Sequence, residues 1–130
     1  MVLDSSAIIA ILFEEEEAER FARTIERASV RLLSVANWVE TALVVLARKG
    51  EKGFSDFERS IADAAIDRVP IDSASGGLAI AAFRHFGRDR HPARLNFGDC
   101  FAYALAKATG EPLLFKGGDF ALTDIVAAAS

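Results

Sequence analysis

Four short apolar runs, set apart by stretches of helical length, constrain this chain more than any other feature. Val2-Leu3, Val30 to Val35, Val69 to Ile71 and Leu113 to Phe115 read as buried strands. The segments between them carry helix punctuation. A helix starts near Ser5, and Glu15 to Ala28 opens with acids suited to a helix N-terminus. Ala36 to Arg48 is closed by Gly50, and Asp56 to Asp67 stops before Pro70. Ser73 to Phe86 is closed by Gly87, and Asp99 to Ala108 ends at Gly110. That last helix is apolar on most sides and is expected to be buried. Strands alternating with helices require parallel crossovers. The predicted fold is therefore α/β, a three-layer sandwich with a short parallel central sheet and helices on both faces. Ligands of such sheets bind beyond the carboxyl ends of the strands.

The 130 residues suit a single domain spanning 1–130, and 52% hydrophobic residues suffice for one core. The longest unbroken apolar run, Ala7 to Phe13, is far too short to cross a bilayer, and no secretory leader precedes or follows it in pattern, so no membrane partner is expected. A lone cysteine, Cys100, cannot form an internal disulfide, which makes the cytoplasm the expected compartment. Net charge −4 excludes nucleic-acid binding by bulk charge alone. The charge is uneven, however. Residues 84 to 94 hold Arg84, Arg88, Arg90 and Arg94 against Asp89, a local +3 on a remainder of −7.

Acids fall where the fold would place a site. Asp4 directly follows the first strand and Asp119 follows the last, though each also suits a helix cap or a turn. Glu40 is harder to explain structurally. Its helical neighbours are Ala36, Leu43, Val44 and Ala47, with no basic partner at helical spacing. Asp99 repeats the pattern beside Ala102, Tyr103 and Ala106, although a place at a helix N-terminus also suits it. If these four acids converged at about 6 Å, each ionised pair would repel by roughly 2.8 kcal/mol, or around 15 for the set. A small domain is stabilised by only about 5 to 15 kcal/mol. Such a cluster must hold protons or a hard divalent cation, and oxygen ligands alone select Mg²⁺ or Mn²⁺ over Zn²⁺. A divalent cation among carboxylates, near a basic segment, is what phosphodiester hydrolysis requires.

At these residues the sequence resembles the PIN-domain family, and within it the VapC-type toxins of bacterial toxin–antitoxin pairs. The resemblance spans essentially the whole chain. It is carried by Met1-Val2-Leu3-Asp4-Ser5-Ser6-Ala7, Asn37-Trp38-Val39-Glu40, Leu95-Asn96-Phe97-Gly98-Asp99-Cys100 and Leu114-Phe115-Lys116-Gly117-Gly118-Asp119-Phe120, with Thr123-Asp124. It implies a PIN-like sandwich and a Mg²⁺-dependent endoribonuclease, with Mn²⁺ able to substitute. It also implies silencing by a VapB-type antitoxin in a toxin–antitoxin hetero-oligomer, and a homodimer. By the same resemblance Asp4 and Asp99 bind the metal most directly, and Glu40 and Asp119 complete the catalytic acids. Ser6 helps orient ligands, and Asp124 shares or replaces the role of Asp119. The products carry a 5′-phosphate and a 3′-hydroxyl. The first two helices, through Ile8, Ile9, Leu12, Phe13 and Phe21, form a groove for the antitoxin.

Arg84, Arg88, Arg90, Arg94 and Lys116 are candidates for holding RNA phosphates, against the alternative of an ordinary solvated surface. His85 and His91 lack a metal-ligand spacing, Cys100 reads as a core residue, and Trp38 faces away from Glu40 on its helix. Two other functions compete. A phosphoacceptor signalling domain would use Asp72 and Lys116 beside an acidic Mg²⁺ pocket, yet it calls for adjacent acids after the first strand, where this chain has Asp4 and then serines. A non-catalytic RNA-binding module of the same fold would give the four acids no task.

Overall fold

A computed structural model describes residues 1–128. Four parallel strands form one sheet: β1 (Val2–Leu3), β2 (Leu32–Ser34), β3 (Asp67–Val69) and β4 (Leu113–Leu114). The helices are α1 (Ser5–Leu12), α2 (Ala18–Arg27), α3 (Val35–Asp63), α4 (Ser73–Phe86) and α5 (Phe97–Thr109), with a short 3₁₀ turn at Phe120–Leu122. None of these helices is long and apolar enough to cross a membrane.

Alternation along each strand sorts side chains to the two faces. Leu3, Leu33 and Leu114 join one core with Phe21, Ile25, Val45, Phe57 and other residues of α1, α2 and α3. Val2 and Leu113 point the other way, into a second core with Leu95, Leu105 and the rest of α4 and α5. The sandwich is three-layered, as its sequence pattern predicts.

Element boundaries depart from the sequence reading where backbone chemistry overrides side-chain pattern. β2 begins only at Leu32: Val30 is 40% exposed, and its carbonyl is taken by the Met1 ammonium at 2.8 Å. β3 is Asp67–Val69, not Val69 to Ile71, because Pro70 has no N–H to continue the ladder. Gly50, with φ 66° and ψ −161°, closes the first helix as expected, and α3 is two helical stretches that meet at this kink, the second beginning before Asp56. The second half ends at Asp63 rather than Asp67, and Ala65 turns the chain with φ 51°. α5 starts two residues earlier than expected, because Asn96 caps it.

The strand order is β3-β2-β1-β4. The chain winds outward from β1 to β3 and then returns to the other side of β1. The reversal opens a crevice between β1 and β4 at their carboxyl ends, and Asp4 stands there, its N–H donating to Leu114 O at 2.9 Å.

Candidate acidic site at the sheet crevice

Asp4 caps α1 with one carboxylate oxygen: Oδ2 accepts the Ser6 N–H at 3.0 Å and the Ser6 hydroxyl at 2.5 Å. The capping role is therefore real, but it occupies half of the group. Oδ1 is buried and has no hydrogen-bond partner, in a residue only 3% exposed. Burial raises the Asp4 carboxyl above its ordinary range, the Ser6 bonds oppose this, and the Glu40 charge adds to the rise.

Glu40 approaches from α3. Its Oε1 accepts the Ser5 hydroxyl at 2.5 Å and the Asn37 amide at 3.5 Å. Asn37, fully buried, also donates to Ser5 Oγ at 3.2 Å and to Gly98 O at 3.0 Å, so one amide joins α1, α3 and α5. The surroundings of Glu40 differ from the sequence expectation. Leu43 is 63% exposed, so the apolar stripe around Glu40 lines an open face rather than the core. The carboxylate is relieved by hydroxyl and amide donors. α5 makes room for it through Gly98, where a Cβ would overlap both carboxylate oxygens of Glu40.

Asp99 lies in the first turn of α5 within a capping box: its Oδ2 accepts the Asn96 N–H at 3.0 Å, while Asn96 Oδ1 accepts the Asp99 N–H at 2.9 Å. Its carboxyl is nevertheless pushed up to about 7, first by burial and then by the charges of Asp4, Glu40 and Asp119. The mutual effect brings these four acids into one electrostatic site. Asp119 is exposed and shares a small cleft with Arg88, Arg94 and Asn96. Asp124 is drawn away from this group, accepting the Tyr103 hydroxyl at 2.6 Å and the Lys107 ammonium at 3.0 Å. Those two donors hold its carboxyl below the ordinary range.

Among the described residues no three acid, histidine or cysteine side chains close on one point as a ready-made chelate. The donor set still fits Mg²⁺, which keeps several waters and takes only one or two carboxylates from a protein. The unpartnered Asp4 Oδ1 and the raised carboxyls of Asp4 and Asp99 are what such an ion would relieve.

The candidate cations divide. Lys116 donates its backbone N–H to Ser6 Oγ at 2.9 Å, but its ammonium is bound by Glu15 at 2.9 Å and Glu17 at 3.5 Å. Arg84, Arg88, Arg90 and Arg94 form no ion pair among the described residues. Asp72 is an N-cap, its Oδ1 accepting the Ser75 N–H at 2.8 Å and hydroxyl at 2.9 Å. Trp38 donates to Glu58 at 3.1 Å under the Arg68 guanidinium, tying the two halves of α3 to the residue that follows Asp67 in β3.

Ser5, Asn37 and Gly98 had no assigned role in the sequence reading. The signal for Asn37 was present, since it stands three residues before Glu40 on the same helix. Nothing local marks Ser5 or Gly98, whose tasks arise only across elements.

The PIN domain family profile matches residues 1–126. Ribonuclease VapC30 of Mycobacterium tuberculosis is 48% identical over 99% of this chain and 98% of its own. Ribonuclease VapC of Mycolicibacterium smegmatis is 44% identical over 98% of each. The fold is similar to that of Mycobacterium tuberculosis VapC20, described as a sarcin-ricin loop cleaving toxin, with a TM-score of 0.78 at 16% identity over 96% of this chain and 95% of that one. A toxin–antitoxin complex from Klebsiella pneumoniae gives 0.72 at 16% identity, covering 97% and 94%.

Proposed function

Because this chain belongs to the PIN-domain family, and within it to the VapC ribonucleases, we propose that it is the toxin of a toxin–antitoxin pair, an endoribonuclease that hydrolyses RNA phosphodiesters with Mg²⁺. The observation that carries this reading is the buried Asp4 Oδ1, left without a hydrogen-bond partner in the crevice it shares with Glu40 and Asp99. A bound Mg²⁺ (or Mn²⁺) supplies charge neutralisation, polarisation of the phosphate and activation of water.

The chain's own groups do the rest. Asp4, through the free Oδ1, and Asp99 hold the cation. Glu40 and Asp119 would complete the negative field around it. Ser6 fixes Asp4 Oδ2, so only the other oxygen is left for ligation. Ser5 and Asn37 orient Glu40. Arg84, Arg88, Arg90 and Arg94 offset the repulsion between the acidic centre and RNA. Lys116, already neutralised by two glutamates, serves as a strut that ties the loop after β4 to the connection between α1 and α2 rather than as a phosphate ligand.

The antitoxin takes the apolar groove between α1, α2 and the second half of α3, lined by Ile8, Ile11, Leu12, Ile25, Ile61 and Ile66 among others. Phe21, expected in this groove, is only 2% exposed and belongs to the core. A second copy covers the apolar face of α4 and α5 where Ile80 and Phe97 are 61% and 77% exposed.

Incubation of purified protein with mixed total RNA, in Mg²⁺ or EDTA, tests the activity. Discrete fragments are expected from the wild type with Mg²⁺ and none from a folded Asp4→Ala/Asp99→Ala variant. Equal cleavage by that variant refutes the assignment.

A further inference from the structure

We infer that Arg88 and Arg94, with Asn96, form a subsite for one backbone phosphate of the RNA, at the edge of the carboxylate centre beside Asp119 and able to bind without the metal. The inference rests on the ribonuclease reading and says which of the basic residues hold substrate.

The four arginines of residues 84–94 are not equivalent. Arg88 and Arg94 converge with Asn96 and Asp119 on one small cleft, which Arg84 and Arg90 do not line. Neither Arg88 nor Arg94 has a side-chain hydrogen bond or an ion pair among the described residues. Arg31, by contrast, spends its nitrogens on the carbonyls of Glu26, Ala28 and Ala64, and Arg23, Arg59 and Arg68 pair with carboxylates. Two unpaired guanidinium groups at one cleft repel each other, and an oxyanion between them removes that cost.

The segment that presents them is rigidly built. Gly87 and Leu95 form a parallel bridge, with Arg88 N donating to Leu95 O at 3.1 Å and Leu95 N to Phe86 O at 2.9 Å. Ala93 is fully buried and donates its N–H to His91 Nδ1 at 3.0 Å, while the His91 ring packs edge-on against Phe86 at 5.0 Å. Within this frame Asp89 and Arg94 adopt left-handed φ values of 66° and 54°. Each such residue costs on the order of 1 kcal/mol or more, and it persists because the surrounding contacts enforce it. The strain at Arg94 fixes its side chain two residues before Asn96, the cap of the helix that carries Asp99.

The cleft's chemistry selects a diester. A phosphodiester carries a single negative charge. A free phosphate is a mixture of singly and doubly charged forms at neutral pH, and the Asp119 carboxylate on the same wall disfavours the doubly charged one. Lys116, by contrast, is already held by Glu15 and Glu17.

The test is binding of a short fluorescent oligouridylate in EDTA, followed by anisotropy as KCl is raised. The wild type is compared with Arg88→Met/Arg94→Met and with Arg84→Met/Arg90→Met, which removes equal charge outside the cleft. Thermal melts establish that each variant is folded, and Arg88→Met with Arg94→Lys replaces the first double variant should it fail to fold. The pocket variant is expected to flatten the slope of log Kd against log salt by about 0.7 for each lost contact. The control variant is expected to change it by less than half as much. Inorganic phosphate at matched ionic strength is expected not to displace the RNA. Equal slope changes in the two variants, no change in the pocket variant, or displacement by inorganic phosphate overturns the subsite. So does a wild type that cuts RNA with Mg²⁺ yet binds none in EDTA. A wild type that neither cuts nor binds RNA overturns the ribonuclease reading, and this inference with it.

Discussion

Gly98 and Glu40 occupy space that a single Cβ would fill: built on Gly98, it would overlap both carboxylate oxygens. The N-terminal turn of α5 thus approaches α3 at the one point where an acid must project into the crevice. Gly98→Ala is expected to displace the Glu40 carboxylate and reduce RNA cleavage by roughly 10²-fold, the scale of an ångström-sized misplacement. Stability should change little, since Gly98 already lies in a helix, where alanine is favoured. Kinetics and a melting curve on the same preparation check both halves. Unchanged cleavage would show that Glu40 has no positional role.

Asn37 is the buried junction beneath that contact. Asn37→Ala leaves Ser5 Oγ and Gly98 O each short of a donor, so unfolding stability is expected to fall by about 1–3 kcal/mol. Ser5→Ala removes the hydroxyl donor to Glu40 and one acceptor of the Asn37 amide, which keeps Gly98 O, and should reduce cleavage with a smaller loss of stability. Urea denaturation distinguishes the two variants.

Asp99 makes the metal-free protein sensitive to pH. Its carboxyl rises from an ordinary 3.8 to about 7, so between those values the native state holds a proton that the unfolded chain has released. The resulting stability is complete below about 4 and is lost as pH rises through 7. In EDTA, Asp99→Asn is expected to melt several degrees above the wild type at pH 8 and to lose that advantage near pH 4. Mg²⁺ at pH 8 should raise the melting temperature of the wild type and leave the variant nearly unmoved. Melting curves at the two pH values, with and without the ion, check the sign.

The antitoxin groove offers a substitution that spares the core. Ile11 is half-buried on its wall, whereas Phe21 lies beneath it. Ile11→Asp is expected to weaken antitoxin binding at least tenfold while leaving RNA cleavage by the free protein intact. Titration calorimetry with the antitoxin, beside a cleavage assay, measures both.

The sheet and the acids were legible in sequence because both are local signals. β-type runs alternate with helices, Asp4 directly follows a strand, and Asp119 lies in the loop that follows the last one. Glu40 stood out for a sound reason, the lack of a basic neighbour at helical spacing, although its surroundings prove open rather than buried. What lay beyond the sequence is relational. The distance from Gly98 to Glu40, the reach of Ser5 across to α3, and the capture of Lys116 by Glu15 and Glu17 join residues between 32 and 110 positions apart, counting the Ser6 contact of Lys116. Periodicity says nothing about such pairs. Asp124 shows the same limit, since its attachment to Tyr103 and Lys107 depends on how the last segment lies against α5.

The central claim is that the crevice acids hold a divalent cation, and titration of Mn²⁺ into the metal-free protein measures this most directly. Calorimetry on the wild type is expected to show saturable binding, lost in a folded Asp4→Asn/Asp99→Asn variant and retained in Asp124→Asn. Binding that survives in the double variant, or that vanishes with Asp124→Asn, would contradict the account.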